Sequence, residues 1–408
     1  MEKFIVSEFI CRVCKKKGGK IVIDLGNQPL ANAIINKKEK EKEYPLKVFI
    51  CSSCKTLQLT KIVNPKILFD KYVWVTGTSN TTKKYLLNFS NYISNKFDKN
   101  KNLRVLEVAS NDGSFLKILK KKFNNVYGVE PAKNIAKLAN KKKLLTYNYY
   151  FNFKNSKKIK KEINSKLDLI ICRNVIPHIS NLNTVFKAVN YLLKKDGKLI
   201  IEFHYAKNIL SKMQFDYIYH EHTYYFTIKT LSGYLKKYNL FANDVAESKI
   251  SGGSLVLTFS YKKDQSKKLK KMINIENKHN INSYKKIKLV NKKLVKYKED
   301  FKDLLYRNKN YKIAGYGSSA RSNTLINFLE FSENSIECIF DKNSLKHNKF
   351  TPGKNLKILK PIKKEIIKFD IIIIFAWNFY EEIKNYLKNI GFKGRIVKTL
   401  PKLKIEKI

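Results

Sequence analysis

The chain has 408 residues, which is more than one ordinary hydrophobic core holds, so we expect two or three domains. Hydrophobic residues make up 43% of the chain, which excludes an intrinsically disordered protein. The formal net charge of +50 would suit nucleic acid, an anionic membrane or phosphate-bearing ligands. Only six of the 83 basic residues are arginine, however, and nucleic-acid surfaces favour arginine for bidentate contacts. We therefore interpret the charge as a solvated lysine-rich surface and expect no nucleic-acid partner.

The sequence pattern favours neither a membrane nor a secreted protein. No apolar run reaches the roughly 20 residues that a helix needs to cross a bilayer, and the N-terminus does not resemble a signal peptide. Four of the six cysteines stand in two C-x-x-C pairs, which suits a reducing compartment better than a disulfide framework. We expect a cytoplasmic protein with no membrane partner.

The first zone, residues 1–75, is expected to be a small zinc-binding lobe. Cys11 and Cys14 form one C-x-x-C pair, and Cys51 and Cys54 form the other, among apolar alternations typical of hairpin strands. Four thiolates match the tetrahedral coordination of Zn2+ and leave no open position, so the metal would be structural. Metal binding would then supply much of the stability that so small a lobe lacks. A redox role for either pair is the alternative.

The second zone, residues 76–260, alternates strand-like and helical stretches. Its apolar runs, typical of strands buried on both faces, are residues 103–108, 125–130, 167–172 and 197–202. Such alternation predicts a mostly parallel sheet covered by helices.

The third zone is predicted to span residues 261–408. It opens with a Lys-rich helical stretch at 262–309, which we expect to bridge two domains, and a second α/β unit then begins at residue 311. The predicted fold class is α/β, with the zinc lobe followed by a central Rossmann-like domain and a second, C-terminal Rossmann-like domain.

The most specific motif lies at the end of the first strand of the second zone. Its residues at alternate positions match the E-x-G-x-G-x-G loop of class I methyltransferases with two glycines replaced, and they are Glu107, Ala109, Asn111 and Gly113. Small residues there let the backbone approach a nucleotide-type ligand closely. Asp112 would repel a phosphate but suits the cationic sulfonium of S-adenosylmethionine, and Glu130 can accept both ribose hydroxyls. An unoccupied strand–turn–helix is the alternative.

Residues 214–226 gather two His, four Tyr and two acidic residues into thirteen positions. Histidine is the natural general base near neutral pH, and Glu221 could orient or charge-stabilise such an imidazole. His178, just past the end of a predicted strand, should lie near the same pocket. Zinc binding and a purely structural aromatic segment are the alternatives for this cluster.

Together these motifs resemble the bacterial sugar C-methyltransferases, which methylate nucleotide-linked keto-deoxysugars. The resemblance covers nearly the whole chain and keeps the order of the family's blocks, which are both Cys pairs and residues 26–32, 107–116, 128–131, 215–222, 252–255, 315–317, 323–325 and 375–378. It implies a class I methyltransferase domain in the middle, S-adenosylmethionine as methyl donor, and a sugar nucleotide bound between the middle and last domains.

The resemblance also implies roles for individual residues. The implied catalytic residues are Tyr219, Glu221, His222 and His178. The cofactor would be bound by Glu107, Ala109, Ser110, Asn111, Asp112, Gly113, Glu130, Pro131 and Asn174. The substrate would contact Tyr72, Trp74, Tyr316, Ser318 and Asn323. The departures from the family pattern, which leave the exact sugar open, are Trp74, Ser251 and Val256, where Tyr, a basic residue and Arg are common.

The chemistry of such a reaction sets the expected mechanism. A base removes the weakly acidic proton next to a ketone, and the enolate carbon then attacks the sulfonium methyl group. His222 is the expected base, Tyr219 is expected near the developing enolate, and Glu221 is expected to set the imidazole.

Other function classes remain open from the sequence. Gly315, Gly317 and Ala320 follow a strand, and Asp341 ends the next one, which resembles a dinucleotide fingerprint and would suit a nicotinamide-dependent oxidoreductase. The charge alone suggests a nucleic-acid-binding zinc ribbon, whose affinity would fall steeply with salt. An O- or N-methyltransferase on the same scaffold is also compatible, and the sequence does not give the oligomeric state.

Purified protein should contain one equivalent of zinc, because the two cysteine pairs offer a single closed set of four thiolates. Metal analysis of the purified protein measures this directly. Protein that carries no zinc, or that keeps full activity after all four cysteines become serine, would contradict a structural zinc site.

Overall fold

The computed structural model describes residues 9–69, 80–97, 99–248, 252–330 and 334–408. Strands of the first lobe are β1 (Gly19–Gln28), β2 (Tyr44–Cys51) and β3 (Leu57–Leu59), followed by helix α1 (Pro65–Phe69). These strands form an antiparallel sheet in the order β1-β2-β3. A fourth strand, Tyr224–Tyr225, pairs with β3 although it comes from the middle of the chain. The first lobe therefore shares its sheet with a distant segment.

The second sheet has a parallel core. Its parallel strands are β4 (Arg104–Val108), β5 (Asn125–Val129), β6 (Thr146–Tyr147), β7 (Leu167–Arg173) and β8 (Leu193–His204). After β9, the two-residue strand already described, β10 (Phe241–Ser248) and β11 (Ser254–Ser260) extend one edge. The spatial order is β10-β11-β8-β7-β4-β5-β6, with β11 antiparallel to β8. The order reverses at β4, so the carboxyl ends of β4 and β7 flank the crevice where such sheets bind ligands.

Helices cover both faces of this sheet. They are α2 (Asn80–Lys96), α3 (Ser114–Leu119), α4 (Lys133–Lys141), α5 (Phe153–Ile163), α6 (Leu182–Leu192), α7 (Ala206–Ser211) and α8 (Ile228–Leu235). Alternate residues of one strand enter two different cores, as Val105 packs in the core with α2 and α3 whereas Leu106 packs in the core with α5 and α6. A strand buried on both faces needs apolar residues on both sides, which is why β4 carries Val105–Leu106 and β7 carries Leu169–Cys172.

The third sheet lies at the C-terminal end. Its strands are β12 (Ile313–Tyr316), β13 (Cys338–Phe340), β14 (Lys357–Leu359), β15 (Ile371–Ile374), β16 (Arg395–Lys398) and β17 (Lys404–Lys407). They lie in the order β14-β13-β12-β15-β16-β17, and only β17 runs antiparallel to its neighbour. Its helices are α11 (Ala320–Leu329), α12 (Lys363–Ile366) and α13 (Tyr380–Asn389). This is a second doubly wound sheet with its own switch point between β12 and β15.

Two helices connect the second and third sheets, α9 (Lys267–His279) and α10 (Tyr284–Arg307). Asn291 on α10 donates to the carbonyl of Val22 in the first lobe at 2.7 Å, and Tyr297 donates to the carbonyl of Thr399 beside the third sheet at 2.8 Å. Helix α10 therefore contacts both the first lobe and the segment that follows β16.

The predicted fold class is confirmed: a zinc-binding lobe precedes two Rossmann-like α/β units. The domain limits at residues 75 and 260 stay predictions. Within the described ranges, no helix combines the length and the apolar character needed to cross a membrane.

A buried ion pair fastens the third domain to the segment after α7. Asp216 accepts two hydrogen bonds from Arg321 on α11, at 2.9 and 3.0 Å, and a third from the indole of Trp377 at 2.8 Å. Asp216 is 1% exposed, so its charge depends on these donors rather than on water. A bidentate guanidinium provides the geometry that such a carboxylate needs.

Replacing Arg321 should therefore destabilise the fold. Arg321→Ala leaves the Asp216 carboxylate buried without its cationic partner, which typically costs about 3–5 kcal/mol of unfolding free energy. Denaturant unfolding followed by circular dichroism measures the change. Arg307→Ala, at the exposed end of α10, is the matched control and should cost under about 0.5 kcal/mol. Equal stability of the two variants would contradict the role of the ion pair.

Candidate functional site

The four predicted zinc ligands come together in the first lobe. The sulfur atoms of Cys11 and Cys54 are 3.6 Å apart, as are those of Cys14 and Cys51, and all four lie within 4.8 Å of one another. Thiolates placed tetrahedrally around zinc at about 2.3 Å would be separated by about 3.8 Å, so this spacing fits the ion. Cys172 and Cys338 lie in strands of other sheets, and the first of them is fully buried.

Hydrogen-bond donors surround the cysteine sulfurs. The amide of Gln58 donates to Cys11 Sγ at 3.1 Å, and the backbone N–H of Ser53 lies 3.4 Å from Cys51 Sγ. Such donors stabilise thiolates and orient them toward a cation. The arrangement is that of a closed structural site rather than of a redox pair.

The predicted cofactor loop has an unusual backbone. Ala109, Asn111 and Gly113 have positive φ values of 55°, 51° and 75°, so the left-handed conformation recurs at the alternate positions where the class I motif has glycine. A side chain at Gly113 would be strained by its positive φ, and its Cβ atom would lie 2.6 Å from Leu144 Cδ1 and 3.1 Å from Ala139 Cβ. Ala109 adopts a conformation that costs an alanine about 1–2 kcal/mol. The loop thus keeps the glycine-type geometry with only one glycine.

Glu130 stabilises this loop from the neighbouring strand. Its carboxylate accepts the backbone N–H of Asn111 at 3.0 Å and that of Ala132 at 2.9 Å, and burial raises its pKa. The following residue, Pro131, has its carbonyl bonded to the Asn148 amide at 2.9 Å. Glu130 therefore shapes the end of the crevice where the ribose is expected.

Asp112 also lies at the loop, and its carboxylate has several partners. It accepts the backbone N–H and hydroxyl of Ser114 at 3.2 and 2.7 Å and lies 3.1 Å from the ammonium of Lys142. Its negative charge is thus compensated by Lys142. The expectation that Asp112 faces the sulfonium stays a prediction.

A second buried carboxylate, that of Glu107, lies under the loop. Glu107 is 1% exposed and accepts two hydrogen bonds from Arg173, at 2.9 and 3.2 Å, through a single oxygen, Oε1. Burial raises its pKa to about 7, against the opposing effect of Arg173. Among the described residues its other oxygen has no hydrogen-bond partner, and neither do Ser110 Oγ and Asn174 Oδ1 at the same crevice. Unpartnered buried acceptors fit a cationic ligand with hydroxyl and ammonium donors, as S-adenosylmethionine is.

The two predicted catalytic histidines lie next to each other, and His222 belongs to the segment after α7. The rings of His178 and His222 are edge to face with centroids 4.6 Å apart, and the ring of Tyr219 lies 3.9 Å from that of His222. Nδ1 of His222 lies 2.8 Å from the carbonyl of Tyr217. A carbonyl can only accept, so Nδ1 carries the proton and Nε2 carries the lone pair.

Burial keeps these imidazoles neutral. It lowers the pKa of His178 to about 4 and that of His222 well below the usual histidine value, with His178 adding to the effect at His222. At neutral pH both rings can therefore accept a proton. His204 and His220 are also buried and also have lowered pKa values for the same reason.

Glu221 lies beside the other histidine of the pair. The carbonyl of Tyr217 holds Nδ1 of His222, whereas Glu221 Oε2 lies 3.9 Å from Nδ1 of His178. The other oxygen of Glu221 accepts a hydrogen bond from the amide of Asn32 in the first lobe. The expectation that Glu221 sets the His222 imidazole stays a prediction.

Predicted substrate residues of the third domain lie at the carboxyl end of β12. Tyr316 is buried, and within the part of the chain that the structure describes its hydroxyl has no hydrogen-bond partner. Ser318 and Asn323 are fully buried and joined by a 3.3 Å hydrogen bond, and Asn323 also donates to the carbonyl of Ala31 at 2.8 Å. Asn323 thus links two domains. Tyr72 and Trp74 lie outside the described residues, as does Ser251.

Sequence analysis missed four residues that shape this site: Asn32, Arg173, Tyr217 and Arg321. Arginine is rare in this chain, and that rarity was a usable signal, since Arg173 and Arg321 each pair with a buried carboxylate. No pattern in the sequence indicates that Asn32 reaches Glu221, because the contact joins distant segments.

The comparisons with known proteins agree with this geometry. Family models match in succession a zinc binding domain at residues 11–69, a methyltransferase domain at 81–242 and a C-methyltransferase C-terminal domain at 249–401. The relative "C-methyltransferase NovU" of Streptomyces niveus is 25% identical over 409 residues, which cover 97% of this chain and 96% of NovU. The chain is an S-adenosylmethionine-dependent C-methyltransferase. Its first lobe binds zinc.

Solved structures similar to this methyltransferase match less than half of the chain. An S-adenosylmethionine-dependent methyltransferase from Clostridium acetobutylicum is 19% identical, with coverage of 44% of this chain and 91% of the other and a TM-score of 0.35. Magnesium protoporphyrin IX methyltransferase from Synechocystis, solved with bound S-adenosylmethionine, is 13% identical, with coverage of 43% and 78% and a TM-score of 0.33.

Removing the charge of Glu130 should weaken cofactor binding. Glu130→Gln keeps the size of the side chain but turns one of its two acceptors into a donor that faces a backbone N–H group. We expect the affinity for S-adenosylmethionine to fall by roughly tenfold or more, since a hydrogen bond to a charged group contributes about 1.5–3 kcal/mol. Titration calorimetry measures it, with Glu162→Gln on the exposed face of α5 as control. Wild-type affinity in Glu130→Gln would remove this residue from the cofactor site.

Proposed function

We propose that this methyltransferase methylates a carbon next to the ketone of a nucleotide-linked keto-deoxysugar. The observation that carries the proposal is the neutral, buried His222, whose Nδ1 is held by the Tyr217 carbonyl and whose ring contacts the tilted ring of Tyr219. A ketone α-proton is only weakly acidic, so carbon alkylation needs a positioned base together with a partner for the enolate oxygen. In this proposal His222 is the base and Tyr219 is the partner for the enolate oxygen.

His222 acts as the base in this proposal. Its Nε2 lone pair takes the proton from the carbon beside the ketone, and the electron pair of that C–H bond moves into the enolate. Burial makes the imidazolium unfavourable by itself, as the lowered pKa shows. The negative charge that develops on the adjacent enolate oxygen compensates the new positive charge, so the proton moves only when substrate is present.

Tyr219 donates a hydrogen bond to the enolate oxygen in this proposal. Its ring contacts His222, and it packs between Ala31 and Ala320, so side chains from the first and third domains hold it. Glu221, held by Asn32, has its Oε2 3.9 Å from Nδ1 of His178. His178, whose ring lies edge to face with that of His222, is the second candidate for stabilising the enolate.

S-adenosylmethionine supplies the methyl group on a sulfonium, which carries no charge once the methyl group has left. The chain's own contribution is to hold that cation near the nucleophile, and the unpartnered oxygen of Glu107 with the loop from Ala109 to Gly113 suits this role. Asn174, at the end of β7, offers a further acceptor at the same crevice. Orientation of two reactants in one site accounts for much of the catalysis of such a reaction.

The substrate class is proposed from the resemblance of the sequence, with Tyr72, Trp74, Tyr316, Ser318 and Asn323 as its contacts. The competing dinucleotide interpretation concerns the same domain, which the C-methyltransferase C-terminal model matches. The carboxylate of Asp341 accepts the backbone N–H groups of Ser318 at 2.7 Å and Asn343 at 2.8 Å, which is the arrangement that Glu130 has beside the predicted cofactor loop.

The test separates enolisation from methyl transfer. In D2O, with S-adenosylhomocysteine bound, wild-type enzyme should exchange deuterium into the carbon beside the ketone of a 4-keto-deoxysugar nucleotide. His222→Asn should bind cofactor normally but lose exchange and methylation together. Tyr219→Phe should slow both by roughly 10²–10³ or less, since it removes one hydrogen bond to the enolate. Proton NMR of the sugar ring measures the exchange.

Two results would contradict the proposal. Exchange retained in His222→Asn would move the base to His178 or Tyr219. An O-methyl or N-methyl carbon signal in the product would exclude carbon alkylation of this substrate.

A further inference from the structure

The catalytic segment continues directly into the sheet of the zinc lobe. His222 is followed by Thr223 and then by β9, whose residues Tyr224 and Tyr225 pair with Gln58 and Leu57 of β3. The backbone N–H of Leu59 also donates to the carbonyl of Thr223 at 2.9 Å. The residue after the proposed base is therefore hydrogen-bonded to a strand of the zinc lobe.

Gln58 connects that strand to the zinc ligands. Its side-chain amide donates to Cys11 Sγ at 3.1 Å, and its side-chain carbonyl accepts the backbone N–H of Arg12 at 3.1 Å. Arg12 in turn donates to the carbonyls of Leu59 and Thr60 at the end of β3. Gln58 is fully buried, so these bonds have no competition from water.

The same segment also holds the second histidine. The backbone N–H of Thr223 donates to the carbonyl of Pro177, the residue before His178, at 2.7 Å. The hydroxyl of Tyr224 donates to the carbonyl of Ser180 at 3.1 Å. The two residues after His222 therefore hold the loop that carries His178 from both sides.

We propose that Gln58 is a positioning residue for catalysis, which fixes β3 to the zinc ligands and thereby sets the relative placement of His222 and His178 through Thr223 and Tyr224. The zinc site then orients the catalytic histidines in addition to stabilising its own lobe. The inference rests on the proposed function, in which both imidazoles lie at the reacting carbon. Because the contacts run through β9, the cofactor loop beyond β4 is not part of this path.

The test uses Gln58→Leu in the full-length, zinc-loaded enzyme. Loss of the amide removes a donor to the Cys11 thiolate, and changes of this kind typically cost about 10–100-fold in metal affinity or activity. We expect zinc to be released to a chelator roughly 10–100-fold faster and kcat to fall roughly tenfold, with the calorimetric affinity for S-adenosylmethionine unchanged. The side-chain ¹⁵N resonances of His222, assigned with His222→Asn, should shift because its Nδ1–H bond to Tyr217 is disturbed.

Two further variants complete the test, one as a matched control and one as a change at β9. Gln28→Leu makes the same change at a buried glutamine of β1, whose amide donates to the Leu25 carbonyl at 3.1 Å, away from β3 and β9. It should leave zinc release, kcat and the His222 resonances unchanged. Tyr224→Phe removes only the hydroxyl that holds Ser180, so it should lower kcat while zinc release stays at the wild-type rate.

The inference is overturned if Gln58→Leu keeps wild-type His222 resonances and kcat while zinc is released faster, because zinc would then be separate from catalysis. It is also overturned if Gln28→Leu reduces kcat as much as Gln58→Leu does. Failure of the proposed function has a different signature: wild-type enzyme would show no deuterium exchange, whereas the zinc and NMR measurements would still report the coupling.

Discussion

Backbone pairing between Leu57–Gln58 and Tyr224–Tyr225 joins parts of the chain that fold around different cores. The N–H and C=O groups of so short a strand must be satisfied wherever it is buried, and the zinc lobe provides the partners. Tyr224 belongs to the core of the methyltransferase sheet, whereas Tyr225 packs with the first lobe, α10 and the third sheet. One two-residue strand thus anchors side chains in two cores, and it restrains the preceding segment, which carries the proposed base.

Elements with strong local patterns could be predicted from the sequence. The run Ile371–Ile374 forms β15, buried on both faces, and the four cysteines meet as the C-x-x-C spacing indicates. The strand–turn–helix at β4 is found as predicted, because such a unit is encoded by neighbouring residues. The features that could not be predicted depend on contacts between distant residues. β9 is too short to carry a periodic pattern, and the bond from Asn32 to Glu221 joins two domains. The bond between His222 Nδ1 and the Tyr217 carbonyl could not be predicted either, because a backbone carbonyl leaves no trace in residue type.

Arginine and lysine side chains take different places in this molecule. Two of the six arginines are largely buried, where Arg173 pairs with Glu107 and Arg321 with Asp216, and their planar donors satisfy carboxylates that water does not reach. Most lysines lie outside, where a flexible ammonium stays hydrated. A high net charge of this kind is compatible with a stable fold because the surface charges are screened by salt.

The left-handed backbone at Ala109 and Asn111 affects how sequence patterns can detect a loop of this kind. A glycine at each position would relieve about 1–2 kcal/mol of steric strain in the folded loop, which exceeds the roughly 0.4–1 kcal/mol by which it would favour the unfolded chain. The chain therefore keeps a small strain in this loop at Ala109 and Asn111. Patterns written in terms of dihedral angles will find loops that patterns written in terms of glycine overlook. At Gly113 a side chain would be strained and would also crowd Leu144 and Ala139.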